Sequence, residues 1–129
     1  CFGCSPDNEY GVKMEFYEDG DEVVSIWKPD GHYQGFLHTL HGGIQSVLLD
    51  EICGWVVFRK LQTAGMTTKM ETRFRKAVST DASHLVLKAS LKEQKRNLAS
   101  VRFGLKYFVH TTFYQKVNYL SHKAGVYTV

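Results

Sequence analysis

A helix-start motif and a pair of acids share one long apolar stretch of this chain. The stretch runs from Ile44 to Phe58, consists mostly of Ile, Val, Leu, Cys, Trp and Phe, and carries Asp50 and Glu51 at its middle. A helix that is apolar on all sides belongs in a protein interior, where an unpaired carboxylate costs several kcal/mol. We therefore predict that one of these acids is kept for function.

The segment His41-Gly42-Gly43 begins this helix. The first N–H groups of a helix have no partner within it, and glycines let a carbonyl oxygen approach them closely. With the helix dipole, such amides stabilise negative charge on a carbonyl oxygen, as an oxyanion hole does. The alternative is that Gly42 and Gly43 only allow a tight turn into the helix. Because an acid follows in the same helix, we favour the oxyanion hole.

The acid and the glycines are too far apart to act within one chain. Asp50 follows Gly42 and Gly43 by seven or eight residues, which is roughly 10–12 Å along a helix at about 1.5 Å per residue. A twofold dimer with antiparallel helices would place Asp50 of one subunit near the glycines of the other. We therefore predict a homodimer, with a homotetramer built from two dimers as the alternative.

The remaining elements are predicted from periodicity. Alternation over 11–17 and 23–27 predicts a hairpin, and the aperiodic residues 30–41 predict a loop before a helix from about Gly42 to about Leu61. Gly65 is the expected left-handed cap of that helix. Strands are predicted at 67–75, 84–94 and 97–110, with a further strand in 111–129. This order predicts an α+β fold in which an antiparallel sheet is wrapped around one long central helix.

Composition narrows the class of protein. A chain of 129 residues with 43% hydrophobic side chains fits a single domain over 1–129. A net charge of +3 is too small to favour a nucleic-acid partner, and no charge-free apolar run reaches membrane-spanning length. The three cysteines, one inside the apolar helix, do not form a secreted disulfide pattern, so we expect a cytoplasmic protein without a membrane anchor.

Four segments of the chain occur together in one known arrangement: Cys1-Phe2-Gly3-Cys4-Ser5-Pro6-Asp7-Asn8, Tyr33-Gln34-Gly35-Phe36, His41-Gly42-Gly43 and Asp50-Glu51. With these segments the chain resembles the acyl-CoA thioesterases of the phenylacetate-pathway (PaaI-like) hotdog family. The resemblance covers residues 1 to about 103. It implies the hotdog fold, thioester hydrolysis and a site shared between two subunits.

The resemblance also implies roles for single residues. Asp50 matches the family's acid, which acts as general base on water or as direct nucleophile. Glu51 is the rival acid, and because successive helical residues point about 100° apart only one of the two should face the site. Gln34 matches an amide that binds the thioester carbonyl or the water, and Thr67 a hydroxyl that orients the acid or the water. The alternatives are a surface amide and an ordinary strand threonine.

Other candidate groups are less specific. His41 is expected to close the helix entry by hydrogen bonding or to touch the thioester. Arg73, Arg75 and Lys76 are candidates for binding CoA phosphates, with a solvated surface as the alternative, and Trp55 is a candidate for the acyl pocket, with core packing as the alternative.

We predict no metal or other cofactor. His38 and His41, like Cys1 and Cys4, form pairs without further ligands nearby in sequence.

The sequence thus predicts an acyl-CoA or acyl-carrier thioesterase. A hotdog dehydratase or hydratase is one alternative, but those enzymes typically pair a His with an acid on the central helix, and the interior of this helix contains no His. A non-catalytic acyl-CoA-binding hotdog protein is the other. In that case Asp50 would be a buried structural acid.

Overall fold

The fold is taken from a computed structural model, which describes the backbone of residues 1–95, 98–105 and 109–117 and the side chains of residues 1–94. Within these described ranges, two strands precede the long helix α1 and four follow it. A short 3-10 helix, Gly31–Tyr33, lies in the loop that leads to α1. The elements are β1 (Tyr17–Asp19), β2 (Glu22–Trp27), α1 (Gly42–Leu61), β3 (Gly65–Phe74), β4 (Leu85–Lys95), β5 (Leu98–Leu105) and β6 (Val109–Val117).

The strands form one antiparallel sheet in the order β1-β2-β4-β5-β6-β3. The chain crosses from β2 through α1 to β3 at the opposite edge of the sheet, so α1 lies against the sheet between its two edges. This arrangement confirms the predicted α+β class, with an antiparallel sheet around one helix. The β3–β6 pairing shifts register between Thr67 and Lys69, next to a predicted site residue.

One stripe of α1 forms the centre of the core. Its members recur every three or four residues, the spacing of a single helix face, and are fully buried: Leu48, Leu49, Ile52, Cys53, Val56 and Val57. Val23, Leu87 and Ala89 from β2 and β4 pack against the same core. The other large apolar residues of the stretch, Ile44, Val47, Trp55 and Phe58, are only half-buried in the single chain. The prediction of a helix enclosed on all sides is therefore wrong for one isolated chain.

The first predicted strand differs from the structure. Residues 11–17 do alternate, since Val12 and Met14 are buried while Lys13 and Glu15 are exposed. Their amides, however, bond to the N-terminal segment, from Val12 N–H to Phe2 O at 2.9 Å and from Met14 N–H to Gly3 O at 2.8 Å. Alternation marks extended chain beside a core, but it does not identify the partner strand. The ladder with β2 contains only the three residues of β1.

The predicted cap at Gly65 is also wrong. Gln62 takes the left-handed conformation, with φ of 54°, and its Nε2 donates to Arg59 O at 2.8 Å. The side chain thus satisfies a carbonyl at the helix end, which offsets the strain of a non-glycine residue there. Gly65 instead begins β3.

The predicted strand 97–110 is two strands. β5 ends at Leu105 and β6 begins at Val109. The sequence did not show this division, because it carries no strong turn signal there. The predictions for 106–108 and 118–129 lie outside the described residues. Among the residues that are described, no helix has both the length and the apolarity needed to span a bilayer.

Candidate active site

The start of α1 is capped by a histidine side chain. His41 is the N-cap residue, and its Nδ1 accepts a hydrogen bond from Gly43 N–H at 2.8 Å. The loop holds the cap in place, since His41 N–H donates to Tyr33 O and Leu40 N–H to Val78 O, both at 2.8 Å. A Cβ atom on Gly43 would lie 3.0 Å from His41 Nδ1, so the glycine allows the ring to approach.

This cap changes which helix-start amides can bind a substrate. The first intrahelical bond runs from Gln45 N–H to His41 O, so the amides of Gly42, Gly43 and Ile44 precede it. Gly43 N–H, predicted to contact an oxyanion, points instead at His41. Because Nδ1 accepts this bond, the neutral ring carries its proton on Nε2.

A cleft of about 640 Å³ lies in front of the helix start. The cleft brings together five residues that the sequence singled out: Gln34, His41, Gly42, Arg75 and Lys76. Gln34 is exposed, and its Oε1 accepts from His38 N–H at 3.3 Å. Gly35 N–H donates to Thr39 O at 2.8 Å and closes the loop that forms one wall. Arg75 and Lys76 follow β3 and form a basic side of the cleft.

Two further residues at the cleft were missed from sequence. Phe74 lines it, with the nearest ring carbon 3.8 Å from the position of a Cβ on Gly42. Gln45 is 5% exposed and donates from Nε2 to Leu40 O at 3.1 Å, while its Oε1 has no hydrogen-bond partner among the described residues. The signal for Gln45 was present, since an amide at a core position of an apolar helix is unusual.

The predicted catalytic acid, Asp50, lies at the middle of α1, away from the helix start. Thr67 Oγ1 donates to Asp50 Oδ1 at 2.8 Å, which joins the middle of α1 to the start of β3. Asp50 is half-buried, and this burial raises the pKa of its carboxyl group. The hydrogen bond from Thr67 acts in the opposite direction, and the charge of Glu51 raises the pKa further. The structure therefore brings together Asp50 and Thr67, two residues to which the resemblance gives roles.

Asp50 and Thr67 do not line the cleft. The eight residues from Gly42 to Asp50 span about 12 Å of helix. Arg73 is exposed on β3 and is also absent from the cleft lining. In one chain the candidate site is thus in two parts, the helix start with its cleft and the Asp50–Thr67 pair.

Trp55 lies away from the cleft. Its ring stacks on Phe16 at 4.8 Å between centroids and meets Phe58 edge-on at 5.5 Å. The two basic residues at the end of α1 bind the neighbouring β1–β2 hairpin. Arg59 Nε donates to Glu18 Oε1 at 3.2 Å, and Lys60 Nζ donates to Gly20 O at 2.9 Å. These two cations fasten α1 to the β1–β2 turn.

The rival acid Glu51 points to the N-terminal segment. Cys1 Sγ donates to Glu51 Oε1 at 3.2 Å, and a Cβ on Gly3 would lie 2.6 Å from the Glu51 carboxyl group. Burial and the neighbouring Glu51 raise the pKa of the Cys4 thiol to about 11. The sequence did not reveal the contact between Cys1 and Glu51, since the two residues are 50 positions apart.

The two histidines considered as a metal-binding pair do not act together in the structure. His38 Nδ1 lies 3.3 Å from Asp81 Oδ2, whereas His41 caps the helix.

Residues 37–106 match the family model described as Thioesterase superfamily. This chain belongs to the thioesterase superfamily. The matched range includes the helix start, Asp50 and Thr67, and the architecture confirms the predicted hotdog fold. No match was found among curated proteins.

Solved structures share the fold. A hypothetical thioesterase from Streptococcus pneumoniae TIGR4, solved with coenzyme A, is 25% identical, with a TM-score of 0.70 over 81% of this chain and 85% of that one. Zebrafish thioesterase superfamily member 2 is 20% identical, with a TM-score of 0.73 over 88% of each chain. A thioesterase superfamily protein from Shewanella loihica PV-4 is 14% identical, with a TM-score of 0.72 over 80% of this chain and 89% of that one.

Proposed function

We propose that this thioesterase superfamily member hydrolyses acyl-CoA thioesters, in the manner of the PaaI-like group, with Asp50 as the catalytic acid. The observation that carries the proposal is the 2.8 Å hydrogen bond from Thr67 to Asp50. A half-buried carboxylate with one oxygen oriented by a hydroxyl keeps its second oxygen for a water molecule or a carbonyl carbon. Its raised pKa makes it a stronger base than an ordinary aspartate.

The reaction requires both parts of the site. The thioester oxygen would bind at the helix start, where Gly42 N–H and the Nε2–H of His41 belong to residues that line the cleft and would act as donors. Asp50 of a second copy would remove a proton from water as the water attacks the carbonyl carbon. The C–S bond then breaks, and the CoA thiolate takes up the proton that Asp50 removed from water, which restores the carboxylate. Direct attack by the carboxylate, followed by hydrolysis of the anhydride, uses the same groups.

The pairing of two copies is supported by the surface around Thr67. β3 is at the edge of the described sheet, and an uncovered edge strand is a site for pairing. Met66 is 79% exposed and Phe74 is 50% exposed on this strand. Ile44 and Val47 of α1 are only half-buried in one chain. A homodimer, or a homotetramer of two dimers, would cover these apolar groups and join the two parts of the site.

The choice of a CoA thioester rests on charge and on a relative. Arg75 and Lys76 lie at the cleft that contains the helix start, and phosphate groups bind well to such cations. The S. pneumoniae relative was solved with coenzyme A. That protein was also solved with an aspartate-to-alanine and with a threonine-to-alanine substitution, the residue types of the pair that Asp50 and Thr67 form here.

The test combines turnover with CoA binding in the Asp50→Asn variant. We expect hydrolysis of any accepted thioester, from a panel of acetyl to long-chain and arylacetyl CoA, to fall at least ~100-fold, the scale of one acid–base group. CoA binding by calorimetry should persist. Glu51→Gln is the comparison variant and should lower turnover far less, because Glu51 faces the N-terminal segment.

Two results would contradict the proposal. Absence of hydrolysis across the panel with intact CoA binding would favour a non-catalytic acyl-CoA-binding protein. A larger loss in Glu51→Gln than in Asp50→Asn, with both variants folded, would show that the acid is assigned wrongly.

A further inference from the structure

The N-terminal turn and the outer side of α1 bring two thiols and a carboxylate together. The sulfurs of Cys1 and Cys4 and a carboxyl oxygen of Glu51 all lie within 4.8 Å of one another. Cys1 Sγ and Glu51 Oε1 are 3.2 Å apart. This is the one such cluster of three or more potential ligands in the part of the chain that the structure describes.

The backbone is folded so that the turn fits against the helix. Ser5 N–H donates to Cys1 O at 3.2 Å, and the Met14–Gly3 bond at 2.8 Å fixes the segment beside the core. Gly3 is buried, and its missing side chain makes room for Glu51, whose Cγ, Cδ and Oε2 lie 2.6 Å from the position of a Cβ. Glycine at this position thus lets the carboxylate reach both sulfurs.

Two N–H groups lie near the sulfurs. Cys4 N–H donates to Cys1 Sγ at 3.2 Å. The Nε1–H of Trp55 is buried without a hydrogen-bond partner among the described residues, and Trp55 and Cys4 line the same surface pocket. N–H groups directed at sulfur stabilise negative charge there, as they do around metal-bound thiolates.

We propose that Cys1, Cys4 and Glu51 form a zinc site that fastens the N-terminal segment to the central helix. Two thiolates in Cys-x-x-Cys spacing, together with a carboxylate from the helix, are ligands that suit Zn²⁺ among the common divalent metals. With Zn–S of about 2.3 Å and Zn–O of about 2.1 Å, tetrahedral ligand atoms are about 3.6–3.8 Å apart. The observed separations reach this geometry with side-chain shifts of about 1 Å. Binding releases the two thiol protons and leaves the fourth position for water.

This site is separate from the chemistry of the proposed function. Glu51 points away from the Asp50–Thr67 pair, and neither cysteine lines the cleft at the helix start. The zinc would act on structure, by holding residues 1–5 against α1. Metal binding can therefore be measured independently of thioester hydrolysis, and failure of either proposal leaves the other standing.

The test is metal content and Co²⁺ spectroscopy of the full chain under reducing conditions. We expect one Zn²⁺ per chain by elemental analysis, and thiolate-to-cobalt charge-transfer absorption after exchange with Co²⁺. Cys4→Ser should lose stoichiometric metal, and Glu51→Gln, which keeps both thiols, should bind Zn²⁺ at least ~10-fold more weakly. Gly3→Ala should also weaken binding, because the new Cβ displaces Glu51.

Matched controls locate the site. Cys53→Ala removes the buried third cysteine, and Asp7→Asn removes an exposed acid of the N-terminal segment. Both should retain one Zn²⁺ per chain. Substoichiometric zinc in the reconstituted wild type, a Cys1–Cys4 disulfide under reducing conditions, or full metal content in both Cys4→Ser and Glu51→Gln would overturn the proposal. Loss of zinc in Cys53→Ala would do the same.

Discussion

Replacing Thr67 with valine tests the Asp50–Thr67 pair most directly. Valine keeps the shape of the side chain and removes the hydroxyl that donates to Asp50 Oδ1 at 2.8 Å. A hydrogen bond to a charged group contributes about 1.5–3 kcal/mol. Because Thr67 is exposed, the lower end applies, about 1.5 kcal/mol, which corresponds to a loss of turnover of slightly more than about tenfold. Thr67→Ser keeps the hydroxyl and should recover most of the rate.

The pH dependence of kcat distinguishes a role of Thr67 in positioning Asp50 from a general loss of structure in the variant. The Thr67 hydrogen bond lowers the pKa of Asp50, so its removal adds to the rise that burial already causes. Since the ionised carboxylate is the active form, the acidic limb of the turnover profile should move to higher pH in Thr67→Val and return in Thr67→Ser. The assay is kcat for one CoA thioester across pH. An unchanged acidic limb in Thr67→Val, or a serine variant as slow as the valine variant, would refute this role for Thr67.

Three further predictions concern stability and assembly. Burial raises the pKa of folded Asp50 above its unfolded value, so its ionisation costs stability as pH rises through the folded pKa. Asp50→Asn should therefore melt higher than the wild type at neutral pH and lose this advantage below pH about 3 in thermal unfolding. Gly43→Ala places a Cβ 3.0 Å from His41 Nδ1 and should cost about 1 kcal/mol of N-cap stability in denaturant unfolding, whereas Gly54→Ala, which meets nothing within 4 Å, should be neutral or stabilising. Light scattering should show a homodimer or homotetramer, and an active monomer at micromolar concentration would contradict the shared site.

The main elements of the fold could be predicted because apolar residues repeat differently in its helix and in its strands. The apolar run from Ile44 to Phe58 exceeds the length of a strand, and alternation of apolar and polar residues distinguishes β3 from it. Two element boundaries were predicted wrongly because a hydrogen-bond partner decides each of them, a distant segment in one case and a carbonyl three residues away in the other. The extended residues 11–16 pair with the N-terminal segment, and Gln62 caps α1 through its own side chain, which glycine statistics do not anticipate.

The candidate site was predictable in its residue types but not in its contacts. A helical repeat shows that Asp50 and Glu51 point in different directions, yet only the fold shows that Thr67 meets Asp50 and that Cys1 meets Glu51. The spacing of His41 and Gly43 likewise does not show that the ring takes the glycine amide. A local pattern lists the available donors and acceptors, and the tertiary contacts decide which of them remain for a substrate.

The proposed site depends on the dimer interface for its geometry. Within one chain the helix fixes the distance from Gly42 to Asp50 at about 12 Å, and no side-chain motion shortens it enough. Across two chains the corresponding distance is set by how their surfaces pack, and Thr67 is on β3 at the exposed edge of the described sheet. Residues such as Met66, which neighbours Thr67 and contacts neither acid nor oxyanion in the proposed reaction, would therefore influence turnover through the position of one subunit relative to the other. In such an enzyme the interface is part of the active site, because it aligns the acid with the carbonyl carbon.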